Sequence, residues 1–393
     1  MDMGLGEEQR LLIDTIRSFV RKELQPLERG IEETGRLDDS IAASIREKSQ
    51  ALGLYAVNIP TEYGGGGLSV VNWMIAEEQF GRTSDIIIRR AFGNVYEILL
   101  EGTEKQIENY LLPAVRGERT FSIAFTEPGA GSDAAAITSR AIPSKHGWTL
   151  NGSKHFISDG AYSDFFVVTA VTDPLSGTHG ISTFIVEKGM PGFTVGRDQP
   201  MMGLKGTSHV EMRFDSVQLD QEHLLGAEGQ GLKLALSTLG RVRLAQVAAR
   251  AVGKATLVMD MCLEYVRQRQ QFNASLGDFQ LIQKMLADSA IEINACRISL
   301  WQIASRIDAG DEMRAGISML KIQASEMLDR VVDRAVQIFG GAGYCTDLPI
   351  ERYYRDARIS RIYDGTSEIH RVVIAKELIK GNNSLYDSHG KLP

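Results

Sequence analysis

The spacing of apolar residues changes twice along this chain, and that change constrains the fold more than any other feature. Up to about residue 120, and again from about residue 230, apolar residues recur at helical intervals. Between these segments they fall in short runs with the alternation typical of strands. Helices followed by strands and then by helices predict an α+β protein with segregated layers. We therefore predict three domains, at residues 1–120, 121–229 and 230–393.

The N-terminal third is predicted to be helical throughout. One helical face is formed by Leu12, Ile16, Phe19, Val20 and Leu24, and Pro26 is expected to end this first helix. The same periodicity predicts further helices at residues 38–53, 68–81, 86–101 and 103–116.

The middle third is predicted to be a β-domain. Residues 163–171 and 181–187 are rich in β-branched and aromatic side chains, and residues 209–215 alternate between polar and apolar. The dipeptide Asn151-Gly152 suits the turn of a hairpin. Clusters of Gly, Pro, Asp and Ser leave little room for crossover helices, so the strands are expected to be antiparallel.

The C-terminal third is predicted to be a bundle of long helices. Its clearest signal is one apolar stripe that extends over about four helical turns. The stripe is formed by Ile317, Leu320, Ala324, Met327, Leu328 and Val331.

Charge and composition exclude several classes of function. The 393 residues include 43 basic and 50 acidic side chains, with a formal net charge of −7 and no dense Lys/Arg stripe. Binding to nucleic acid or to an anionic membrane surface is therefore not expected. No run approaches the roughly 20 apolar residues of a membrane helix, and no targeting segment is recognisable, so we predict a cytoplasmic location.

The cysteines give no sign of a metal site. Cys262, Cys296 and Cys345 are widely spaced and lack the CxxC or Cys/His spacing of a zinc site. The seven histidines accompany no recognisable Ser or Cys nucleophile motif. Neither a metal ion nor a disulfide framework is expected.

A glycine-rich loop at residues 125–133 could contact an oxygen-rich ligand. Its two glycines permit close backbone approach, and its hydroxyls could meet phosphate. The loop lacks both GxxxxGK[ST] and a GxGxxG that opens a helix, so a plain surface turn is the alternative.

Five segments occur in the order found in one known family. They are FTEPGAGSD at 125–133, LNGSKHFIS at 150–158, RQQF at 269–272, QIFGGAGY at 337–344 and RDARISRIYDGTSEIHR at 355–371. Through them the chain resembles the acyl-CoA dehydrogenases, flavoproteins that introduce a double bond between Cα and Cβ of a CoA thioester. The resemblance implies an N-terminal all-α domain, a middle antiparallel β-domain and a C-terminal four-helix bundle, with FAD between the β-domain and the bundle.

The resemblance also implies which residues bind FAD. Thr126 would face the flavin pyrimidine edge and Ser132 a phosphate, while Phe156 and Ser158 would flank the isoalloxazine. Family members often have Trp and Thr at these last two positions, and Phe and Ser keep the aromatic wall and the hydroxyl. The implied FAD-binding set is Phe125, Thr126, Gly131, Ser132, Phe156, Ile157, Ser158, Arg269, Gln271, Phe272, Gln337, Gly341, Thr366 and Glu368.

The resemblance implies that two subunits share each FAD site. Arg269 and Phe272 match the contacts that a subunit makes to the FAD of its neighbour, and Gln337 with Gly341 match the reciprocal contact. The resemblance therefore implies a homo-oligomer, a homotetramer, and it implies an electron-transfer flavoprotein as the partner that re-oxidises the flavin.

The expected catalytic base departs from the family pattern. Desaturation needs a carboxylate to remove the α-proton, and the family usually has Glu before Gly-Thr in its last motif, where this chain has Asp364. The second known location lies on the helix after the β-domain, and residues 236–259 contain no Asp or Glu. Asp is shorter than Glu by roughly 1.5 Å. Three consequences of this shorter side chain compete. The acyl group sits deeper or is branched or cyclic, the thioester is replaced by another carbon acid, or catalysis is lost.

The acyl-CoA site follows from the same resemblance. It includes Ser132, Tyr363 and Gly365, and Arg89 or Arg90 falls on the helix that lines the far end of the acyl cavity. An inward-facing arginine would pair with a second carboxylate and indicate a dicarboxylic acyl-CoA. The interpretation we favour is that both arginines are solvated at the surface.

The predicted function is FAD-dependent α,β-desaturation of an acyl-CoA, with β-hydride transfer to flavin N5. Two alternatives stay open at the level of sequence. One is another flavin-dependent carbon-acid oxidase on this fold, similar to the nitroalkane oxidases, which use an Asp base. The other is a non-catalytic assembly scaffold that retains FAD.

Overall fold

A computed structural model describes residues 4–382, and the first part of this range is helical. The predicted segment 86–101 is broken, because Gly93 has φ of 76° and ends its helix, and a short 3-10 turn follows at Glu97–Glu101. The other predicted helices of this part are confirmed. The α-helices are α1 (Glu7–Phe19), α2 (Glu28–Thr34), α3 (Asp39–Ala51), α4 (Val70–Phe80), α5 (Asp85–Phe92), α6 (Glu104–Gln106) and α7 (Leu112–Val115).

α1 ends at Phe19, seven residues before Pro26, and the helical path continues past both. The chain passes through a π-helical segment, Val20–Leu24, and a 3-10 turn, Gln25–Leu27, into α2. Pro26 lies in the first positions of the 3-10 turn, where its missing N–H breaks no helical hydrogen bond. The prediction that Pro26 ends the first helix is therefore wrong, because the α-helix changes to a π-helical segment after Phe19 and helical structure continues beyond Pro26.

The middle part of the chain forms one eight-stranded sheet in the order β6-β7-β3-β2-β4-β5-β8, with β1 beside β4. Alternation along β7 is confirmed, since Val210, Met212 and Phe214 point into the sheet core. The strands are β1 (Phe121–Ala124), β2 (Arg140–Ser144), β3 (Gly147–Ser158), β4 (Phe165–Val171), β5 (Ile181–Glu187), β6 (Phe193–Asp198), β7 (His209–Asp220) and β8 (Leu224–Leu225).

Two local predictions about this sheet are wrong. First, although most strand pairs are antiparallel, β1 and β2 each run parallel to β4. Second, Asn151-Gly152 lies inside β3 and the hairpin turn falls at residues 145–146. The Asn151 side chain accepts a hydrogen bond from Ser216 N at 2.8 Å, and Gly152 sits at a register shift against β7. Pairing with β7 thus overrides the local turn preference.

The C-terminal part is helical again, and its apolar stripe is confirmed as core in α11. A π-helical segment, Arg243–Ala249, joins α8 to α9. The remaining elements are α8 (Gly231–Val242), α9 (Arg250–Gln268), β9 (Gln270–Gln271), β10 (Ala274–Ser275), α10 (Gln280–Asp308), α11 (Arg314–Phe339), α12 (Gly341–Tyr344), α13 (Ile350–Arg358) and α14 (Ser367–Ile379).

The N-terminal and C-terminal helices share one hydrophobic core, while the sheet has its own. The predicted α+β fold class is confirmed. The domain limits at residues 120 and 229 stay predictions, and residue 393 lies outside the described residues. Across residues 4–382, none of the helices combines the length and the apolarity needed to cross a membrane.

The shared helical core depends on a close crossing of α4 and α9. A Cβ on Gly253 would lie 1.7 Å from the carbonyl oxygen of Glu78, and one on Gly81 would lie 2.4 Å from that of Arg250. Such distances are far below van der Waals contact, so the two backbones touch only because these side chains are absent.

We expect Gly253→Ala to lower the free energy of unfolding by about 1–3 kcal/mol, because the added methyl group must separate α4 from α9. Gly240→Ala is the matched control, since Gly240 is also helical and its added Cβ meets no atom within 4 Å. Urea unfolding followed by circular dichroism measures both variants. Equal unfolding midpoints would contradict the close crossing.

Candidate active site

Asp364 lies in a short connection between two helical segments of the C-terminal part. Its φ is 54° and that of Gly365 is 92°, so two consecutive residues adopt the left-handed conformation. Thr366 then caps α14, because its Oγ1 accepts the N–H of Ile369 at 3.2 Å. A non-glycine residue in this conformation is strained and persists only when its surroundings hold it.

Three basic side chains hold the Asp364–Gly365 backbone. Arg243 Nε donates to the Asp364 carbonyl oxygen at 2.6 Å, and His370 Nε2 donates to the same oxygen at 3.1 Å. Lys321 Nζ donates to the Gly365 carbonyl oxygen at 2.6 Å. Arg243 begins the π-helical segment Arg243–Ala249, His370 lies on α14 and Lys321 on α11. We call these three side chains the basic clamp. The clamp fixes the backbone of Asp364 from three directions.

The carboxylate of Asp364 is left available for chemistry. Within residues 4–382, no hydrogen bond or ion pair at contact distance engages it. Burial raises its pKa, and the charges of Arg243, Lys321 and Arg89 oppose that rise. A carboxylate with a raised pKa that is fixed through its backbone has the properties of a general base.

Burial lowers the pKa of two side chains of the basic clamp. Burial lowers the pKa of His370 to about 4, so the ring is neutral near pH 7. A neutral ring that donates through Nε2 must accept through Nδ1, and the hydroxyl of Ser318 lies 3.0 Å from that atom. Burial also lowers the pKa of Lys321, to about 8, and the charge of Asp364 opposes that shift.

The predicted FAD residues of the β-domain form a second group. The loop at 125–133 is tied to β3 because Lys154 Nζ donates to the Phe125 carbonyl oxygen at 3.0 Å and the N–H of His155 donates to Thr126 O at 2.9 Å. Lys154 also contacts Glu127 at 2.9 Å, and this pair is almost fully buried. The lysine lowers the pKa of the Glu127 carboxyl to about 2.

The exposed face beside this loop is formed by the end of β3. Phe156 has φ of 58° at a register shift and is 56 % exposed. Gly131 and Ser132 are also exposed, whereas the Ile157 side chain is buried and leaves only its backbone for a ligand. Ser158 is partly buried, and its carbonyl oxygen accepts from Ser122 Oγ at 2.6 Å.

Arg89 connects the β-domain to the surroundings of Asp364. Its guanidinium pairs with Asp85 at 2.5 Å and with Asp159, the residue after Ser158, at 3.0 Å. The interpretation of Arg89 as a solvated surface residue is therefore wrong, since its side chain is only 11 % exposed. Arg90 is partly buried and packs over the ring of Tyr162, with 4.2 Å between its Cζ and the ring centroid.

The residues predicted to reach a neighbouring subunit lie on the surface. Phe272 and Asn273 have φ of 52° and 61° and form the two-residue turn between β9 and β10. This turn leaves the Phe272 side chain 90 % exposed. The other members of this group are exposed as well, namely Arg269, Gln337 and Gly341, and so is Gln271 of the implied FAD-binding set. Glu368 is exposed on the first turn of α14.

Sequence reasoning missed the basic clamp. Neither Arg243 nor Lys321 belongs to a pattern that indicates contact with Asp364, and the motif at 355–371, which includes His370, does not show that this ring binds the Asp364 backbone. Arg243 is 121 residues away from Asp364 in the chain. Only the packing of the helices brings these residues together.

Family models match nearly all of the chain. The acyl-CoA dehydrogenase N-terminal domain matches residues 6–118, the middle domain residues 122–217 and the C-terminal domain residues 229–379. The chain is 38 % identical to the acryloyl-CoA reductase (NADH) of Anaerotignum propionicum over 385 residues, which is 97 % of this chain and 96 % of the relative.

Solved structures agree. The butyryl-CoA dehydrogenase of Megasphaera elsdenii superposes with a TM-score of 0.89 at 35 % identity, over 96 % of this chain and 100 % of that one. PigA with FAD and proline superposes with a TM-score of 0.89 at 27 % identity, over 98 % and 100 %. The fold and the matches define an oxidoreductase that acts on acyl-CoA, as predicted. The chain belongs to the acyl-CoA dehydrogenase family.

Lys154→Met tests the support of the 125–133 loop. We expect it to lower the free energy of unfolding by about 3–5 kcal/mol, because it leaves the Glu127 carboxylate buried without its cation. Lys145→Met, at an exposed lysine in the β2–β3 turn, is the control. Urea unfolding measures both, and an unchanged midpoint for Lys154→Met would contradict a structural role of the pair.

Proposed function

We propose that this protein catalyses the FAD-dependent α,β-desaturation of an acyl-CoA, with Asp364 as the base. The observation that carries the proposal is the free Asp364 carboxylate, whose backbone is held in a left-handed conformation by the basic clamp. Strain of this kind concentrates at functional sites, where the surrounding structure maintains it.

The residues present fit FAD. Phe156 offers an exposed aromatic surface at a strained position beside the 125–133 loop, and PigA, a structural neighbour, has been solved with FAD. In the proposed site the loop, through Thr126, Gly131 and Ser132, and the end of β3, through Phe156 and Ser158, hold the cofactor. When bound, FAD supplies the acceptor for the β-hydride.

The chain's own contribution to the chemistry is the removal of one proton. The Asp364 carboxylate takes the α-proton of the thioester, and its raised pKa increases its strength as a base. The backbone N–H of Asp364 can donate to the thioester carbonyl oxygen and stabilise the charge that develops there. The basic clamp acts on the Asp364 and Gly365 carbonyl oxygens and so fixes the direction of both groups.

The shorter base favours a particular type of acyl group. A 1 Å misplacement of a catalytic group can cost about a hundredfold in rate. A cyclic or branched acyl group that brings its α-carbon closer to Asp364 compensates for the missing methylene. A dicarboxylic acyl group is less favoured, because Arg89 already pairs with two carboxylates.

We further propose a homotetramer and an electron-transfer flavoprotein as the re-oxidant. The exposed turn at Phe272 and the exposed backbone at Gly341 support subunit contacts around FAD. Several large apolar side chains on α10 are also exposed, including Leu281 and Ile291, as expected for a face that another subunit covers.

Replacement of Asp364 tests the base. We expect Asp364→Asn to slow anaerobic bleaching of the bound flavin by an acyl-CoA about 10²–10⁴-fold, because the amide cannot take the proton. Asp364→Glu should keep bleaching but shift the preferred acyl group, because the carboxylate moves by roughly 1.5 Å. Asp347→Asn, at an exposed aspartate, is the control. Full activity in Asp364→Asn would overturn the proposal.

The raised pKa of Asp364 predicts the pH profile. The base acts only when it is deprotonated, so the rate of flavin bleaching should fall as the pH drops through the pKa of Asp364. Because burial raises that pKa, the midpoint should lie above the ordinary 3.8 of an aspartate. Stopped-flow measurements across pH determine the midpoint, and a value at or below 3.8 would contradict the assignment.

A further inference from the structure

A chain of buried ion pairs includes the helix that the family resemblance predicts to line the far end of the acyl cavity. Glu77 on α4 pairs with Arg250 at 2.7 Å, and Arg250 lies 3.6 Å from Asp85. Asp85 pairs with Arg89, and Arg89 with Asp159. We call these five residues the acyl-end network. It runs from the helical core to the residue that follows Ser158.

The network lies beside the proposed base. The charges of Arg89 and Asp85 both act on the pKa of Asp364. A small cavity next to it is lined by Trp73, Glu77, Asn94, Tyr96, Val242 and Gln246. Val242 precedes Arg243, which binds the Asp364 carbonyl oxygen, so the cavity wall and the basic clamp share one helical segment.

The charge of the network is negative. Its two arginines face three carboxylates, those of Glu77, Asp85 and Asp159. Arg89 uses both Nε and Nη1 on these carboxylates, so neither atom is left for a ligand. A further carboxylate brought here on an acyl chain would meet excess negative charge, and close like charges repel each other.

Asp159 presents an unused acceptor. Its Oδ2 accepts from Arg89 and from Asn94 of the cavity wall, at 3.0 and 3.3 Å. Its Oδ1 is buried and accepts no hydrogen bond from any of residues 4–382. A buried acceptor without a donor is unfavourable, because it has lost its hydrogen bonds to water and gained none in return. A ligand group with an O–H or N–H would remove that cost.

We propose that the acyl-end network makes this protein select an acyl group that carries a hydrogen-bond donor, a hydroxyl or an ammonium group, and reject one that ends in a carboxylate. Asp159 is the specificity-determining residue, since it both neutralises Arg89 and offers the free acceptor. This inference rests on the proposed function, because it concerns the acyl-CoA of that same site.

The test compares linear, branched and cyclic CoA thioesters of four, six and eight acyl carbons that carry no substituent, a hydroxyl, an ammonium or a carboxylate at the far end of the acyl group. Their dissociation constants are measured by calorimetry on the FAD-loaded protein, and their reactivity by anaerobic flavin bleaching. At the best chain length, we expect the hydroxyl or ammonium form to bind about tenfold or more tightly than the carboxylate form. The comparison of the two donor-bearing forms identifies which of them the site takes.

Asp159→Asn tests the residue itself. The amide oxygen can still accept from Arg89, so the fold is retained while one negative charge is removed. We expect the carboxylate form to gain about tenfold in affinity and the preference for the donor-bearing form to shrink. Asp215→Asn, at an exposed aspartate of β7, is the matched control and should leave the ranking unchanged.

The outcomes separate this inference from the function on which it rests. If flavin bleaching occurs and the carboxylate form, or the plain chain, binds as tightly as the donor-bearing forms, the inference is overturned and the proposed function stands. If no thioester binds or bleaches the flavin, both are overturned. The ranking on the unaltered protein decides the matter even if Asp159→Asn fails to fold.

Discussion

The proposed chemistry depends on the hold that the basic clamp has on the Asp364–Gly365 backbone. An aspartate in the left-handed conformation is unfavourable by itself, and the side chains that hold it come from three separate helical segments. Two of them, Arg243 and Lys321, are basic groups placed where burial disfavours their charge. Their hydrogen bonds to carbonyl oxygens compensate for part of that cost.

The same arrangement explains how a short carboxylate can be used. The clamp engages only main-chain oxygens, so the backbone is fixed while the Asp364 side chain stays free. Burial then raises its pKa, whereas a salt bridge to Arg243 through the carboxylate would have lowered it. The proposed base thus lies near the cations of Arg243, Lys321 and Arg89 without being neutralised by direct contact with one.

Buried charge also joins the separate parts of the molecule. The acyl-end network connects α4, α9 and α5 to the end of β3, and the Glu127–Lys154 pair fixes the 125–133 loop to the sheet. Isolated buried charges are costly, so each partner of such a pair depends on the other. Both sets of pairs lie beside the residues proposed to hold FAD and substrate. Loss of either set would therefore disturb the proposed site as well as the fold.

Apolar periodicity was enough to predict the order of helical and strand segments and the buried faces of the main elements, because it reports directly which face of a helix or strand is buried. The stripe of α11 and the alternation of β7 were readable for this reason. Asp364 could also be singled out from the sequence, because the motif that contains it is one continuous stretch of the chain.

The contacts that hold Asp364, in contrast, could be seen only in the folded molecule. The turn preference of Asn151-Gly152 yielded to pairing with β7. The spacing of Asp85 and Arg89 on one helix is compatible with an ion pair, but the second partner of Arg89, Asp159, had no signature in the chain. The clamp around Asp364 joins residues up to 121 positions apart. Contacts of this kind are set by packing between elements, which local spacing does not encode.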